Sequence, residues 1–284
     1  MEEKIAVVTD STSDLTGEDL KKHGMKSIPL KVIYNDNQYH DRVDITPAEV
    51  YQSFDKEIPT TSMPSPQEIM DVYEELKDEG YTHIISVHIS SGLSATYNNC
   101  MMVADQIQGV EVEVIDSKML SKGLGRLALY AASLVEKGDL SFSEIIEKIE
   151  AKKDKIEVFF VVKTLKYLKK GGRIGKVSGT IAEFLNIKPI IAIDEEGEYF
   201  TFDKVRGRKR SLKKMYSIIK DRLKEGKEYI VDVMNAAAEE EAEDLLNKFK
   251  DLSQIKEINF GEISPVMVVH TGPGLIGLVL TELD

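Results

Sequence analysis

The stretch that decides the fold is residues 4–14, KIAVVTDSTSD, in which a short apolar run gives way to a polar cluster. The β-branched residues of Lys4 to Thr9 are typical of a buried strand. The cluster Asp10 to Asp14 suits a strand-to-helix turn, and a helix is predicted over about Thr16 to His23, with Gly24 as its stop. The chain therefore opens with a predicted strand, polar turn and helix.

The same order recurs through the first half of the chain. Strands are predicted over Thr82 to Ile89 and Glu111 to Ile115, each followed by a hydroxyl-rich turn and a helix. This alternation predicts a three-layer α/β/α domain with a mostly parallel sheet. Ligand sites in such sheets lie beyond the carboxyl ends of the strands. The turns Asp10–Ser13, Ser90–Ser94 and Asp116–Ser117 are therefore candidate binding segments.

The segment between the first two of these turns predicts an insertion near residues 32–66. A second strand is expected over Met25 to Tyr34, with Gln38 to Asp41 returning as a hairpin. Thr46 and Pro47 have the residue types of a helix cap and first helical position. A loop rich in proline and hydroxyl groups follows, and Pro66 opens the next predicted helix.

The second half of the chain has a different pattern. Lys188 to Ile193 and Tyr199 to Phe202 are predicted to form a hairpin, and helices flank a strand at Tyr229 to Met234. Three short strands are expected to close the chain. One of them spans Val266 to Val269 and ends at His270. Hairpins mixed with helices predict a two-layer α+β domain with a mixed sheet.

The change of pattern places a domain boundary near Lys155. We therefore expect an N-terminal domain over residues 1–155 and a C-terminal domain over residues 156–284. A chain of this length is sufficient for two ordinary domains.

Composition excludes several classes of function. The formal net charge is −12, so the chain as a whole is a poor match to nucleic acid or anionic lipid. Its apolar runs are too short to cross a bilayer. The lone Cys100 excludes a disulfide framework and a cysteine metal cluster, and it fits a reducing compartment. The five histidines show no metal-ligand spacing. We expect a cytoplasmic protein without a metal, a cofactor or stable membrane insertion.

Basic residues concentrate in two stretches, near residues 163–176 and 204–214. Charge runs are commonly solvated faces, but two in an acidic chain are less usual. They suggest one positive face for docking an acidic partner or a phosphate group.

Several hydroxyl groups and one histidine are candidate ligand-binding residues. Ser94 lies at a predicted helix start, where it is either an N-cap or part of a carboxylate site. Thr61 and Ser62 lie in the proline-rich loop and supply further donors. His270 opens the turn Thr271 to Gly274, where it is either a turn residue or a site residue.

These segments together resemble the DegV family. The resemblance is carried, in family order and over nearly the whole chain, by VTDSTSDL (8–15), TSMPSP (61–66), SSGLSATY (90–97), LKYLKKGGRI (165–174) and HTGPG (270–274). Met63 stands where glutamine is common in the family, and Ala95 where glycine is common. Neither difference removes a hydroxyl group or a cation from the candidate ligand-binding residues.

The resemblance implies a bacterial protein that binds a long-chain fatty acid such as palmitate in a tunnel between its two domains. The fatty acid carboxylate would be presented to a separate fatty acid kinase, which makes an acyl phosphate. The protein itself would then be a lipid-binding carrier and not an enzyme. Matched by motif position, the ligand-binding residues would be Thr61, Ser62, Ser94, Arg173 and His270. The basic stretches would dock the kinase.

Two other functions remain open on the residues alone. Ser94 and His270, with Asp10 or Asp116 orienting the histidine, have the residue types of a serine hydrolase or acyltransferase. A small-molecule kinase subunit is the third possibility, but the sequence carries no recognisable nucleotide loop.

Overall fold

The computed structural model describes residues 3–180 and 187–284, and it arranges them in three β-sheets with helices packed around them. The strands, β1 to β13, are Ile5–Asp10, Lys26–Ile28, Lys31–Ile33, Gln38–His40, Thr60–Ser62, His83–His88, Glu111–Asp116, Ile156–Val161, Ile187–Ile193, Tyr199–Arg206, Tyr229–Ala236, Ile255–Glu262 and Leu275–Glu282. The helices, α1 to α10, are Gly17–Lys22, Pro47–Ser53, Pro66–Asp78, Thr96–Ala104, Ser121–Lys137, Phe142–Lys153, Lys166–Lys170, Arg208–Arg222, Glu239–Asn247 and Pro265–Thr271.

A four-stranded parallel sheet, in the order β2-β1-β6-β7, forms the centre of the N-terminal half. Alternate residues of β1 point to opposite faces. Ala6 and Val8 pack in a core with α3 and α4, whereas Val7 packs in a second core with α5. Helices therefore cover both faces, as predicted.

The insertion forms a separate antiparallel sheet in the order β4-β3-β5. The predicted single strand over Met25 to Tyr34 is wrong, because this segment contains two strands in different sheets. Strand β2 pairs with β1, and β3 pairs with β4 and β5. Pro29 lies between them and has no N–H to continue a ladder. The predicted hairpin to β4 is confirmed.

The C-terminal half contains a six-stranded mixed sheet in the order β10-β9-β8-β13-β11-β12. Among the pairs of its described strands, β11 and β12 run parallel and the others run antiparallel. Helices α8 and α9 cover one face with Met215, Ile219 and Leu245. The other face joins the core that includes α5 and α10. The predicted fold class is confirmed, with a three-layer α/β/α arrangement followed by a two-layer α+β arrangement.

The predicted strand over Val266 to Val269 is wrong, because these residues lie in helix α10. Ser264 is its N-cap residue and Pro265 takes its first position, which are common helix-start residues. The run is buried around most of its circumference, so it shows neither helical nor strand periodicity. His270 consequently lies in the last turn of a helix.

The two halves share a continuous apolar core and several polar contacts. Arg126 of α5 makes two hydrogen bonds of 2.8 and 2.6 Å to the buried carboxylate of Asp232 in β11. Ser90 donates a hydrogen bond of 2.8 Å to the carbonyl of Gly197 in the β9–β10 turn. Among the described residues, no helix has the length and hydropathy that a bilayer span requires.

Candidate functional site

A small cavity with several polar side chains in its wall lies where the two halves meet. Its volume is about 30 Å³, and its walls include Thr61, Ser94, Arg173 and His270. We call this cavity the polar chamber. Thr61 and Ser94 come from the N-terminal half, whereas Arg173 and His270 come from the C-terminal half. The structure thus brings together four of the five predicted ligand residues.

His270 reaches the chamber from the end of α10. Its Nε2 lies 2.7 Å from Thr61 Oγ1, so this contact joins the two halves. Its Nδ1 is buried and has no hydrogen-bond partner among the described residues. Burial, and then the positive charge of Arg173, lowers the pKa of His270 to about 4. The imidazole is therefore neutral at physiological pH, with Nε2 directed to Thr61 and Nδ1 packed against Gly171.

Arg173 follows α7 and the Gly171-Gly172 pair. Its Nη1 donates to the carbonyl of Gly171 at 2.7 Å, and its Nε donates to the carbonyl of Leu93 at 3.2 Å. No carboxylate in the described parts of the chain forms an ion pair with it at 4.0 Å or less. Its positive charge is therefore held in the chamber by two carbonyl groups, and it remains available to an anion.

The two predicted serines differ in position. Ser94 lines the chamber, and its Oγ lies 2.9 Å from Thr96 Oγ1 and accepts a hydrogen bond from the backbone N–H of Thr96. Ser62 is the neighbour of Thr61 on β5, where successive side chains point to opposite faces. Its hydroxyl donates to the carbonyl of Met63 at 3.0 Å, and it is not among the residues that line the chamber.

An apolar cavity of about 20 Å³ adjoins the polar chamber. Tyr199 and Met267 line both spaces, which makes them the link between them. The walls of the apolar cavity also include Val158, Phe160 and Met234. Burial raises the pKa of Tyr199 well above its usual range, so its hydroxyl stays protonated. Sequence patterns did not reveal these residues, because apolar side chains of a cavity wall and of an ordinary core look alike.

A third space, of about 120 Å³, lies on the outer side of Thr61, Arg173 and His270. Ile58 and Pro59 form its wall from one half, and Lys170 and Gly171 from the other. Lys170 is exposed, so this outer recess lies at the surface. The outer recess, polar chamber and apolar cavity follow one another from the surface into the molecule.

The two basic stretches meet at one end of the six-stranded sheet. Lys188 at the start of β9 donates through Nζ to the carbonyl of Lys163 at 2.6 Å. The carbonyl of Lys188 accepts a hydrogen bond from the hydroxyl of Ser211 in α8 at 2.5 Å. Two cations of these stretches contribute less to the positive charge of the surface, because Lys176 forms an ion pair with Asp194 and Arg208 forms one with Glu241. Lys163, Lys169 and Arg210 are exposed.

The residues named for a hydrolase are not arranged as a catalytic triad in the described structure. Ser94 Oγ lies 2.9 Å from Thr96 Oγ1, and no hydrogen bond joins it to His270 among the described residues. The Asp10 carboxylate accepts from the Ile89 N–H and lies 3.1 Å from His88, whereas that of Asp116 accepts from Ser91 and Lys118. Neither carboxylate orients His270.

Comparison with known proteins gives one consistent result. The model of the DegV family, a family described as uncharacterised, matches residues 4–283. A DegV domain-containing protein of Clostridium acetobutylicum is 47% identical over 281 residues, covering 99% of each chain. A solved structure of a DegV family protein from Thermus thermophilus, described as binding fatty acid, is 31% identical with a TM-score of 0.93, covering 99% of this chain and 100% of that one. A stearic acid-binding protein from Eubacterium ventriosum is 30% identical with a TM-score of 0.86, covering 98% of each chain.

Proposed function

Because this chain belongs to the DegV family, we propose that it binds one long-chain fatty acid between its two halves. The carboxylate would occupy the polar chamber and the acyl chain would enter the apolar cavity. Residues 1–155 and 156–284 would act as two domains with the ligand between them. The observation that carries this proposal is the convergence of Thr61, Ser94, Arg173 and His270 on a chamber that leads into apolar space.

The chamber has the groups that a buried carboxylate needs. An ionised carboxylate is costly to bury unless it is paired and hydrogen-bonded. Arg173 supplies the positive charge, and the Thr61 and Ser94 hydroxyls and the neutral His270 imidazole supply donors around it. Hydrogen bonds between charged groups are the stronger kind. Ser62 would contribute only after a change of side-chain direction, because its hydroxyl now faces the Met63 carbonyl.

The acyl chain would supply most of the affinity. Each buried methylene contributes about 0.8 kcal/mol. The walls of the apolar cavity offer no competing charge, since they consist of side chains such as Val158, Phe160, Met234 and Met267. The polar chamber would therefore set the orientation, and the chain length would set the strength of binding.

Lipid analysis and direct binding test this proposal. We expect native mass spectrometry and solvent extraction of the purified protein to yield one fatty acid per chain. We expect Arg173→Gln to weaken palmitate binding at least tenfold, as loss of a charge-assisted contact costs about 1.5–3 kcal/mol. Lys169→Gln, an exposed cation nearby, is the matched control and should bind normally. A protein that carries no lipid and does not take up palmitate would contradict the proposal.

The further step is presentation of the carboxylate to a separate fatty acid kinase in the cytoplasm. The outer recess lies beside the chamber, and exposed cations such as Lys169 lie near it. In this arrangement the protein is a carrier and the kinase performs the chemistry. The joined basic stretches would dock an acidic surface of that kinase.

Charge reversal separates docking from ligand binding. We expect Lys169→Glu and Arg210→Glu together to slow acyl phosphate formation by a partner kinase while palmitate affinity stays unchanged. Lys220→Glu with Lys256→Glu alters the net charge equally at other surfaces and serves as the control. Equal rates in both double variants would rule out docking through the basic stretches.

A further inference from the structure

The interior space is small compared with a long acyl chain. The polar chamber and the apolar cavity measure about 30 and 20 Å³. Spaces of this size hold on the order of one water molecule each. A long chain must therefore displace side chains or continue into further space beyond Val158.

Such space lies directly behind the apolar cavity. A groove of about 790 Å³ is lined by Ile156, Val158, Phe159, Ile193, Phe200 and Phe202, among others. We call it the rear groove. Val158 lines both this groove and the apolar cavity. The chamber, cavity and rear groove thus adjoin one another in series, sharing first Tyr199 and Met267 and then Val158 as wall residues.

The rear groove exists because β8 and β9 diverge. Their pairing covers Phe159 with Ala192 and Phe160 with Ile191. Beyond this point Ile193 pairs with Tyr199 of β10. The start of β8 and the β9–β10 turn therefore form two separate walls.

The chemistry of the rear groove favours a hydrocarbon over an anion. Its cations already have carboxylate partners: Lys118 pairs with Asp116, Lys153 with Glu150, Lys176 with Asp194 and Arg222 with Glu157, at 2.6–2.9 Å. Among its aromatic side chains, Phe202 is 36% exposed, whereas Phe159 is buried. Asp154 and Glu195 also line the groove, so its charged rim disfavours an anion, while Ile193 and Phe202 offer apolar surface between the charges.

Val158 separates the cavity from the groove, because it lines both spaces. Val158 packs against Gly123 so closely that an added Cβ at Gly123 would lie 2.6 Å from Val158 Cγ2 and 3.4 Å from Met119 Cβ. Met119 also lines the groove. Methionine is unbranched and adapts to a new neighbour at low cost. Rotation of Val158 and Met119 would join the two spaces.

We propose that the rear groove is a second opening of the binding site, through which the methyl end of a long acyl chain emerges. This inference rests on the proposed fatty acid function. It predicts that the site has no closed end, so that bulk at the methyl end of the ligand is tolerated while bulk near the carboxylate is not.

Spin-labelled stearates test the second opening. We expect stearate with a doxyl nitroxide near its methyl end to bind within about threefold of stearate and to broaden the amide NMR signals of Ile193 and Phe202. With the nitroxide near the carboxylate, binding should weaken at least tenfold. If stearate binds but the methyl-end label is rejected, or binds without broadening these signals, the second opening is wrong and the proposed function stands. If stearate itself does not bind, both proposals fail.

A pair of matched variants gives an independent measure. Phe202 and Phe260 are comparably exposed, at 36% and 40%, and lie on the two edge strands of the same sheet. We expect Phe202→Glu to weaken stearate binding about tenfold, the effect of withdrawing one or two methylenes from apolar contact. Dodecanoate, whose methyl end would stop short of the groove, should bind unchanged. Phe260→Glu should alter neither affinity. Equal effects of Phe202→Glu on both acids would overturn the inference.

Discussion

The carboxylate of Asp14 accepts a hydrogen bond of 2.8 Å from the backbone N–H of Ser264, joining residues 250 positions apart. It also accepts from Arg42 at 2.9 Å and from Ser121 at 2.5 Å. Asp14, Arg42 and Ser121 all have left-handed backbone conformations, with φ of 54°, 61° and 53°. Such strain persists only where the surroundings maintain it. The cluster therefore holds the start of α10, the helix that carries His270, against the N-terminal half.

Replacing Asp14 with Asn tests how much this cluster stabilises the fold. Asparagine tolerates the left-handed conformation, so the change mainly removes the charge. It leaves Arg42 without its buried partner, and we expect the free energy of unfolding to fall by about 3 kcal/mol. Urea denaturation measures this loss. Asp139→Asn, at an exposed position, should change stability by less than about 0.5 kcal/mol. Equal losses would contradict a specific role for Asp14.

Asp41 lies beside this cluster and should make stability depend on pH. Its Oδ1 accepts from the Val266 N–H at 2.9 Å, and its Oδ2 is buried without a partner among the described residues. Burial, with a smaller contribution from Asp14, raises the pKa of Asp41 to about 7, against the opposing effects of Ser11, Val266 and Arg42. The folded state therefore holds a proton that the unfolded state has released between about pH 4 and pH 7.

Stability contributed by Asp41 is accordingly complete below about pH 4 and is lost as the pH rises to about 7. We expect Asp41→Asn to remove this component. Urea denaturation measures the free energy of unfolding of both proteins from pH 4 to pH 8. The value for the variant, relative to that for the wild type, should rise over this range by about 4 kcal/mol. A difference that stays constant over this range would contradict the raised pKa.

Gly171 should be required for the position of His270. A Cβ added at Gly171 would lie 2.2 Å from His270 Nδ1, so Gly171→Ala must displace the ring and break its contact with Thr61. We expect palmitate affinity to fall about tenfold, in line with a lost polar contact. Gly179→Ala is the control, since nothing lies within 4 Å of its added Cβ. Unchanged palmitate affinity in both variants would show that His270 does not contribute to fatty acid binding.

The His270 imidazole should remain neutral well below its ordinary titration range. Its pKa of about 4 follows from burial and from Arg173. A bound carboxylate near Arg173 would offset that positive charge, so we expect the pKa to rise when palmitate is added. Nitrogen-edited NMR titration, with His270→Asn to assign the signal, measures both values. Protonation of the His270 imidazole near pH 6.5 in the ligand-free protein would contradict its buried position.

An added methyl group at Gly277 should leave the fold stable but lower the affinity for a long fatty acid. Gly277 lines the apolar cavity, and a Cβ there would make ordinary contacts, the nearest at 3.6 Å from Met234 Cβ. We expect Gly277→Ala to leave the unfolding midpoint nearly unchanged and to weaken stearate binding more than octanoate binding. Gly17→Ala, with open space around its Cβ, is the control. Equal effects on the two acids would place the acyl chain elsewhere.

Local sequence patterns were sufficient to predict the secondary structure of segments whose conformation depends mainly on their own residues. The parallel sheet follows from runs such as Ile5–Asp10 with their polar turns, and the helix starts predicted at Pro47 and Pro66 are present. Motif resemblance named Thr61, Ser94, Arg173 and His270, which the structure brings together. Local patterns failed at α10, because a run buried on nearly all sides has no polar face to show its period.

The amino-acid sequence by itself determined the order of strands and helices and the residue types available to a carboxylate. Tertiary structure alone decided which groups meet. It gave Asp14 its contact with Ser264, raised the pKa of Asp41 and lowered that of His270, and placed Val158 between the apolar cavity and the rear groove. The physical reason is that burial and electrostatic interaction depend on distances between residues far apart in the chain, which no local pattern specifies.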